Sequence, residues 1–244
     1  MLYGIVSDIH ANLPALDAVL QRLSDAGVRK YLCLGDIVGY GASPNECCAL
    51  LRNLDCVFIQ GNHDEAAVIP GSEEGFTPAA RKCILWTREA LSEENREFLR
   101  GMPPTAVTGD IALCHGSWTD PDLYITSPRD AVATFDAMPK RLCFFGHTHY
   151  AEWYESTGAD KWPRETFMPD GGQLDLAGEN LYLVNPGSVG QPRDGNSMAA
   201  YIIFDDESRR VFFERCPYNI RDTQEKILLS GLPAKMATRL PLGI

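Results

Sequence analysis

Five histidines occur in this chain, each in a short polar cluster: Ser7-Asp8-Ile9-His10, Gly61-Asn62-His63-Asp64, Cys114-His115-Gly116 and Gly146-His147-Thr148-His149. A further cluster, Gly35-Asp36, adds a carboxylate without a histidine. Imidazole is the commonest protein metal ligand, and carboxylates beside it hold or bridge hard and borderline cations. The combination points to a metal centre. A dinuclear hydrolytic centre needs two cations about 3.5–4 Å apart, further nitrogen or oxygen ligands, and a position open to water or substrate. One carboxylate must bridge the pair. Asp8 and His10, two apart, are expected to project from one strand end towards the same side, and His147 and His149 share that spacing. Asp36 is the natural bridge, Asn62 offers a neutral carbonyl oxygen, and His115 adds another imidazole. Gly35, Gly61, Gly116 and Gly146 would let the backbone turn sharply beside the ions. One such cluster recurs by chance; five in this order carry the inference.

Short apolar runs lead into the clusters at residues 2–6, 31–34, 56–59, 111–114 and 142–145. Their length, their Val, Ile, Phe and Tyr content and their Gly or Asp ends read as buried strands. Helical patterns lie between them. Residues 13–25 place Leu13, Leu16, Val19, Leu20 and Leu23 on one face, with Pro14 tolerated in the first turn. A second helix starts at Ser43 with Pro44 first, and residues 79–91 and 92–99 form two more. This alternation predicts a mostly parallel sheet, with ligands at the carboxyl ends of its strands, where the clusters fall. After residue 150 the pattern turns to strands at 151–155, 181–184, 198–204 and 211–215, with a hairpin turn at 205–208. Residues 157–180 read as a loop or irregular hairpin, residues 218–229 as a last helix, and the tail after Gly231 is unassigned. No repeat or linker stands out, so residues 1–244 are expected to form one domain, a second sheet packed on the first.

The chain has 244 residues, is 45% hydrophobic and carries a net charge of −11. It is long enough to bury a substantial core, and no apolar run reaches the roughly 18–20 residues of a membrane span. The start lacks the basic region of a signal peptide, so a cytoplasmic address is expected. The eight cysteines form no paired C-x-x-C. Cys33, Cys114 and Cys143 lie inside apolar runs and read as buried thiols. The negative charge argues against general nucleic-acid binding. It leaves a phosphate substrate open, because bound cations make a site locally positive. Oligomeric state is not readable, a homodimer being only the base-rate expectation.

In this order the clusters resemble the calcineurin-like metallophosphoesterase superfamily, whose pattern is D-x-H, G-D, G-N-H-D/E, a lone H and G-H-x-H. The match spans residues 7–149, and Asn185-Pro186-Gly187-Ser188-Val189 resembles the small bacterial and archaeal phosphodiesterase branch. The resemblance implies an α/β fold, a four-layer α-β-β-α sandwich of two mixed sheets flanked by helices. It places Asp8, His10, Asp36 and His149 on one metal, and Asp36, Asn62, His115 and His147 on the other. His63 is left as the catalytic residue, stabilising the phosphoryl group or protonating the leaving oxygen. The implied cofactors are two divalent ions, Mn, Fe or Zn ahead of Ni or Mg. The implied reaction is hydrolysis of a phosphodiester or nucleotide-type bond in a small substrate by a metal-bridged hydroxide.

Larger protein phosphatases of the superfamily extend Gly-Asp to G-D-x-x-D-R-G. Here the run is Gly35-Asp36-Ile37-Val38-Gly39-Tyr40-Gly41, without that Asp and Arg. Phosphomonoesterase or protein-phosphatase activity is therefore the alternative, beside a non-catalytic metal-binding scaffold on the same fold. Asp64 either orients His63 or caps a helix. Asn12 fits a helix N-cap better than a substrate contact. Arg193 is a phosphate-gripping residue or an exposed turn arginine. The tryptophans read as filling, and the pocket is expected from loops near 66–80, 117–128 and 157–180.

Overall fold

The computed structural model describes residues 1–158 and 162–244. Three strands that precede polar clusters, β1 (Leu2–Val6), β2 (Lys30–Cys33) and β3 (Cys56–Phe58), run parallel. The sheet continues from β1 through antiparallel β11 (Ala199–Asp205) and β12 (Arg210–Cys216) to β9 (Gly172–Asp175). The second sheet runs in the order β4 (Thr105–Thr108), β5 (Ile111–Cys114), β6 (Leu142–Phe144), β10 (Leu181–Pro186), β7 (Ala151–Ser156) and β8 (Arg164–Phe167). Within it β5, β6 and β10 are parallel. Both sheets are thus mixed and six-stranded.

Period-2 alternation sorts the strand residues into layers. Ile5, Leu32, Ile202 and Phe204 of the first sheet meet Ile111, Leu113, Leu142 and Phe144 of the second in one buried layer. Phe144 and Phe204 pack edge to face there, ring centroids 5.9 Å apart. Outside the first sheet, Val6, Cys33 and Tyr201 pack against α1 (Leu13–Asp25) and α2 (Pro44–Arg52). Outside the second, Ala112, Cys143 and Leu183 pack against Ala131 and Phe135 of α6 (Pro128–Ala137). The result is the expected α-β-β-α sandwich. All eight cysteines are unpaired, and seven are buried.

Two expectations about assembly need correction. The second sheet is not built from the second half of the chain: each sheet takes strands from both halves. Nor do the two strands of residues 157–180 pair with each other as a hairpin. β8 joins β7 at the edge of one sheet, and β9 joins β12 at the edge of the other. A short alternating run has two pairing edges, and its composition does not name its neighbour. Residues 159–161 of that stretch lie outside the described residues. The unassigned tail forms α8 (Ala234–Thr238) and a short turn of helix at Leu240–Leu242. Among the described residues, no helix is long and apolar enough to cross a membrane.

Candidate metal centre

All five clusters follow strands directly: Asp8 after β1, Asp36 after β2, Asn62 after β3, His115 after β5 and His147 after β6. Three of these strands belong to one sheet and two to the other, so the clusters meet where the carboxyl ends of both sheets converge. Strand alternation does not aim the side chains, contrary to the sequence-based expectation. Asp8, His10, Asp36, His147 and His149 all have positive φ, between 49° and 70°, in loops beyond the strand ends. Ala11 and Tyr40 beside them do too, and Arg209, in a hairpin turn, is the eighth such non-glycine residue among the described residues. Left-handed backbone costs energy in L-residues and clusters at functional sites. Glycine relieves two close approaches. Gly35 takes φ +90°, and a Cβ there would strike the backbone of Gly61. A Cβ on Gly61 would collide with the Asp36 carboxylate.

The polar atoms converge. Asp8 Oδ1 lies 3.2 Å from His149 Nε2 and 3.8 Å from His10 Nε2. Asp36 Oδ2 lies 3.6 Å from His10 Nε2 and 3.4 Å from His115 Nε2, between the two groups of ligand-type atoms. Asp8, His10 and His149 form one buried triad, and Asp36, His115 and His147 a second. His63 joins His10 and Asp36 in a third.

Four of the five rings share an anchoring scheme. His10 Nδ1 donates to Val38 O at 3.1 Å, His115 Nδ1 to Leu34 O at 2.7 Å and His149 Nδ1 to Gln191 O at 2.6 Å. His147 is held by the opposite nitrogen, Nε2 to Asp122 O at 3.2 Å. A backbone carbonyl fixing one ring nitrogen sets the tautomer and turns the other lone pair towards a metal. His63 has no such anchor: its Nδ1 is buried without a partner. Asp8 Oδ1, Asn62 Oδ1 and His115 Nε2 are likewise buried without a hydrogen bond, the first and last despite their ion-pair distances. Such orphaned oxygen and nitrogen atoms are costly unless another ligand completes them. Their chemistry fits divalent cations.

Burial dominates the protonation of these groups. It drives His10 and His149 well below the ordinary imidazole value, His147 to about 3 and His63 to about 4. His115 is the exception. Burial opposes its charge, but the negative charges of Asp36, nearest, and Asp8 together lift it to about 10. Asp36 stays well below the usual carboxylate range: burial pushes it up, and the histidines around it, His115 first, outweigh that. A bound cation would take the place of the His115 proton against Asp36.

Other polar residues hold the loops. Asp64 accepts from Val38 N at 3.1 Å and Gly61 N at 3.2 Å, so it caps α3 (Asn62–Val68) and ties two cluster loops together. Asn12 caps α1 through Ala15 N and also bonds Gly190 O and Thr223 Oγ1, which occupies its amide. Asn185 donates to Gly146 O at 2.8 Å and Thr148 Oγ1 at 3.0 Å; Ser188 donates to Asp8 O at 2.7 Å. The Thr148 hydroxyl donates in turn to buried Glu152 at 3.0 Å. Sequence reasoning passed over Thr148 and Glu152, because neither their types nor their spacing signals support of a histidine loop.

A cleft of about 530 Å³ opens from Asn62, His63 and His147, walled by Tyr40, Phe76 and Tyr124, with Glu65 and Asp122 at its margin. The His63 ring packs 4.4 Å from Tyr40 and 4.8 Å from Phe76. Loops 66–80 and 117–128 line this cleft as expected. The described residues of 157–180 do not, because β8 and β9 lie at the outer sheet edges. No tryptophan lines it: Trp153 is core, Trp86 and Trp118 pack beside core clusters, and Trp162 is exposed.

A buried Asp/His centre at the junction of two mixed sheets in an α-β-β-α sandwich defines the metallophosphoesterases as a class. The chain belongs to the calcineurin-like phosphoesterase superfamily, whose domain pattern matches residues 1–209. It is 36% identical over 246 residues to an uncharacterized protein of Methanocaldococcus jannaschii, covering 99% of this chain and 98% of that one. The crystal structure of a metallophosphoesterase from Sphaerobacter thermophilus superposes with a TM-score of 0.90 at 41% identity, covering 100% of this chain and 99% of that one. A hypothetical protein from Pyrococcus horikoshii shares the fold, with a TM-score of 0.80 at 22% identity over 98% and 97% of the chains.

Proposed function

We propose that this metallophosphoesterase hydrolyses phosphodiester or nucleotide-type bonds in small cytoplasmic substrates, and that residues 1–244 act as one domain. The observation that carries the metal-dependent reading is the anchoring scheme, four rings each fixed by a carbonyl and turned onto two buried carboxylates. Asp8, His10, Asp36 and His149 would hold one divalent cation. Asp36, Asn62, His115 and His147 would hold the other, Asp36 serving both. Mn, Fe or Zn suits this mixed nitrogen and oxygen set best. When bound, the cations supply positive charge against the phosphoryl oxygens and acidify water.

The chain's own residues do the rest. His63, unanchored and facing the cleft, would donate its ring N–H to an oxygen of the phosphoryl or leaving group. Tyr40 and Phe76 confine that ring from both sides, which keeps its donor aimed without consuming it. The cleft beyond His63 supports the diester reading, since a diester carries an organic substituent that must be accommodated past the phosphorus. The missing D-R-G extension disfavours a protein phosphatase.

The test is turnover of bis-p-nitrophenyl phosphate against p-nitrophenyl phosphate, with and without Mn²⁺. Faster Mn²⁺-dependent turnover of the diester is expected. A monoester preference would overturn the substrate class. No turnover of either by metal-loaded protein would overturn the enzyme reading and leave a metal-binding scaffold.

A further inference from the structure

Arg193 is half-buried on the loop that follows β10, and its backbone N–H donates to His149 O at 3.3 Å. One guanidinium nitrogen lies 3.2 Å from Gln191 Oε1 and 3.5 Å from the Tyr40 hydroxyl; the group stands 5.9 Å from the centre of the Tyr40 ring. The same ring packs 4.5 Å from His10 and 4.4 Å from His63. The guanidinium is therefore one aromatic ring away from the proposed metal ligands. Its Nε is buried without a hydrogen-bond partner, and among the described residues no carboxylate lies within ion-pair distance of it. The neighbouring residue does have an ion-pair partner: Asp194 pairs with Arg215 and accepts from Ala151 N at 3.2 Å. The loop is thus fixed at Asp194, while Arg193 is held only by neutral oxygens.

The surroundings make this charge stand out. Burial raises the Tyr124 hydroxyl, and the nearby positive charge of Arg193 opposes that rise. Arg239 is close enough that the Arg193 charge, after burial, is the main influence lowering its pKa. A like-charged neighbour and, among the described residues, no carboxylate within ion-pair distance leave this cation without an ion-pair partner beside the site. A planar fork with spare donors beside a phosphoester centre matches the paired oxygens of a phosphoryl group.

We propose that Arg193, steadied by Tyr40 and Gln191, is the phosphoryl-oxygen-binding residue of this site. It would supply from residue 193 the arginine that is absent after Gly35-Asp36. The ligand class is a tetrahedral oxyanion, with inorganic phosphate as its simplest member. The proposal rests on the phosphoesterase reading above.

The test uses the full-length Mn²⁺-loaded protein with inorganic phosphate as probe. Phosphate affinity is read by calorimetry and by competitive inhibition of diester turnover, and metal content by elemental analysis, for wild type, Arg193→Gln and Arg193→Lys. Phosphate affinity is expected to fall roughly tenfold or more in the Gln variant, as losing a charge-assisted hydrogen bond entails. KM should rise with it, metal content and thermal midpoint should hold, and Lys should restore part of the affinity. Unchanged phosphate affinity in both variants of an active enzyme would overturn the proposal alone. Loss of metal together with phosphate would also overturn it, by making Arg193 a structural support. If wild-type, metal-loaded protein neither binds phosphate nor turns over diester, the phosphoesterase reading fails as well.

Discussion

At the scale of single residues, the centre separates two kinds of histidine. His10, His115, His147 and His149 spend one nitrogen on a carbonyl, whereas His63 Nδ1 is buried without a partner. Asp36→Asn removes the shared carboxylate charge, so it should lose both activity and most bound metal. His63→Ala should keep the metal, with turnover falling about 10²–10⁴-fold, the range for loss of a group that handles a proton in the transition state. Elemental analysis beside kinetics checks both. His63 also lies in a triad with His10 and Asp36, so parallel loss of metal in its variant would make it a ligand instead. The candidates were legible because Asp, Asn and His stand in short clusters, four of the five beside a glycine. Which nitrogen each ring offers was not legible, since it depends on carbonyls such as Leu34 O and Gln191 O from distant loops. Arg193 was undecided for the same reason: its setting is made by Tyr40, 153 residues earlier.

At the scale of elements, the loop carrying His147 and His149 rests on a buried carboxyl. Burial raises Glu152 to about 8, with the Glu165 charge adding to it and hydrogen bonds from Thr148 and Tyr154 working against it. A carboxyl raised on folding holds more protons in the native than in the unfolded state between its ordinary value of 4.5 and about 8. Stability should therefore fall as pH rises through that window, by an amount on the order of a few kcal/mol. Urea unfolding at several pH values should show this slope in the wild type and a flatter one in Glu152→Gln. An identical slope in both would show that Glu152 does not titrate there. Strands such as Ile111–Cys114 and helix Leu13–Asp25 were legible to the residue, since apolar periodicity is local. The partners of β8 and β9 were not, because edge pairing is settled by contacts far away in sequence.

For the whole molecule, the inter-sheet layer and the metal centre are two independent ties between the same sheets. Phe204→Ala, emptying a fully buried position against Phe144, should cost about 3–5 kcal/mol in chemical denaturation. Cation binding at the far end of that layer should stabilise through mass action, by about 2.7 kcal/mol at a hundredfold excess over Kd. Calorimetry should thus find the melting temperature raised by Mn²⁺ and lowered by a chelator, with little response in Asp36→Asn. The two-sheet architecture was legible from the family resemblance, while the sharing of each sheet between both halves was not.

That sharing has a consequence for biosynthesis. β1 pairs with β11 at Ile5↔Ile202, and Ser188 and Gln191 secure Asp8 and His149. A nascent chain that has emerged only to His149 already contains every proposed ligand, yet lacks the strands and the loop that hold them. Metal capture should therefore be a late event, coupled to release of the chain beyond residue 149. Pauses or truncations beyond residue 150 should yield chains that have the whole motif and bind no metal tightly.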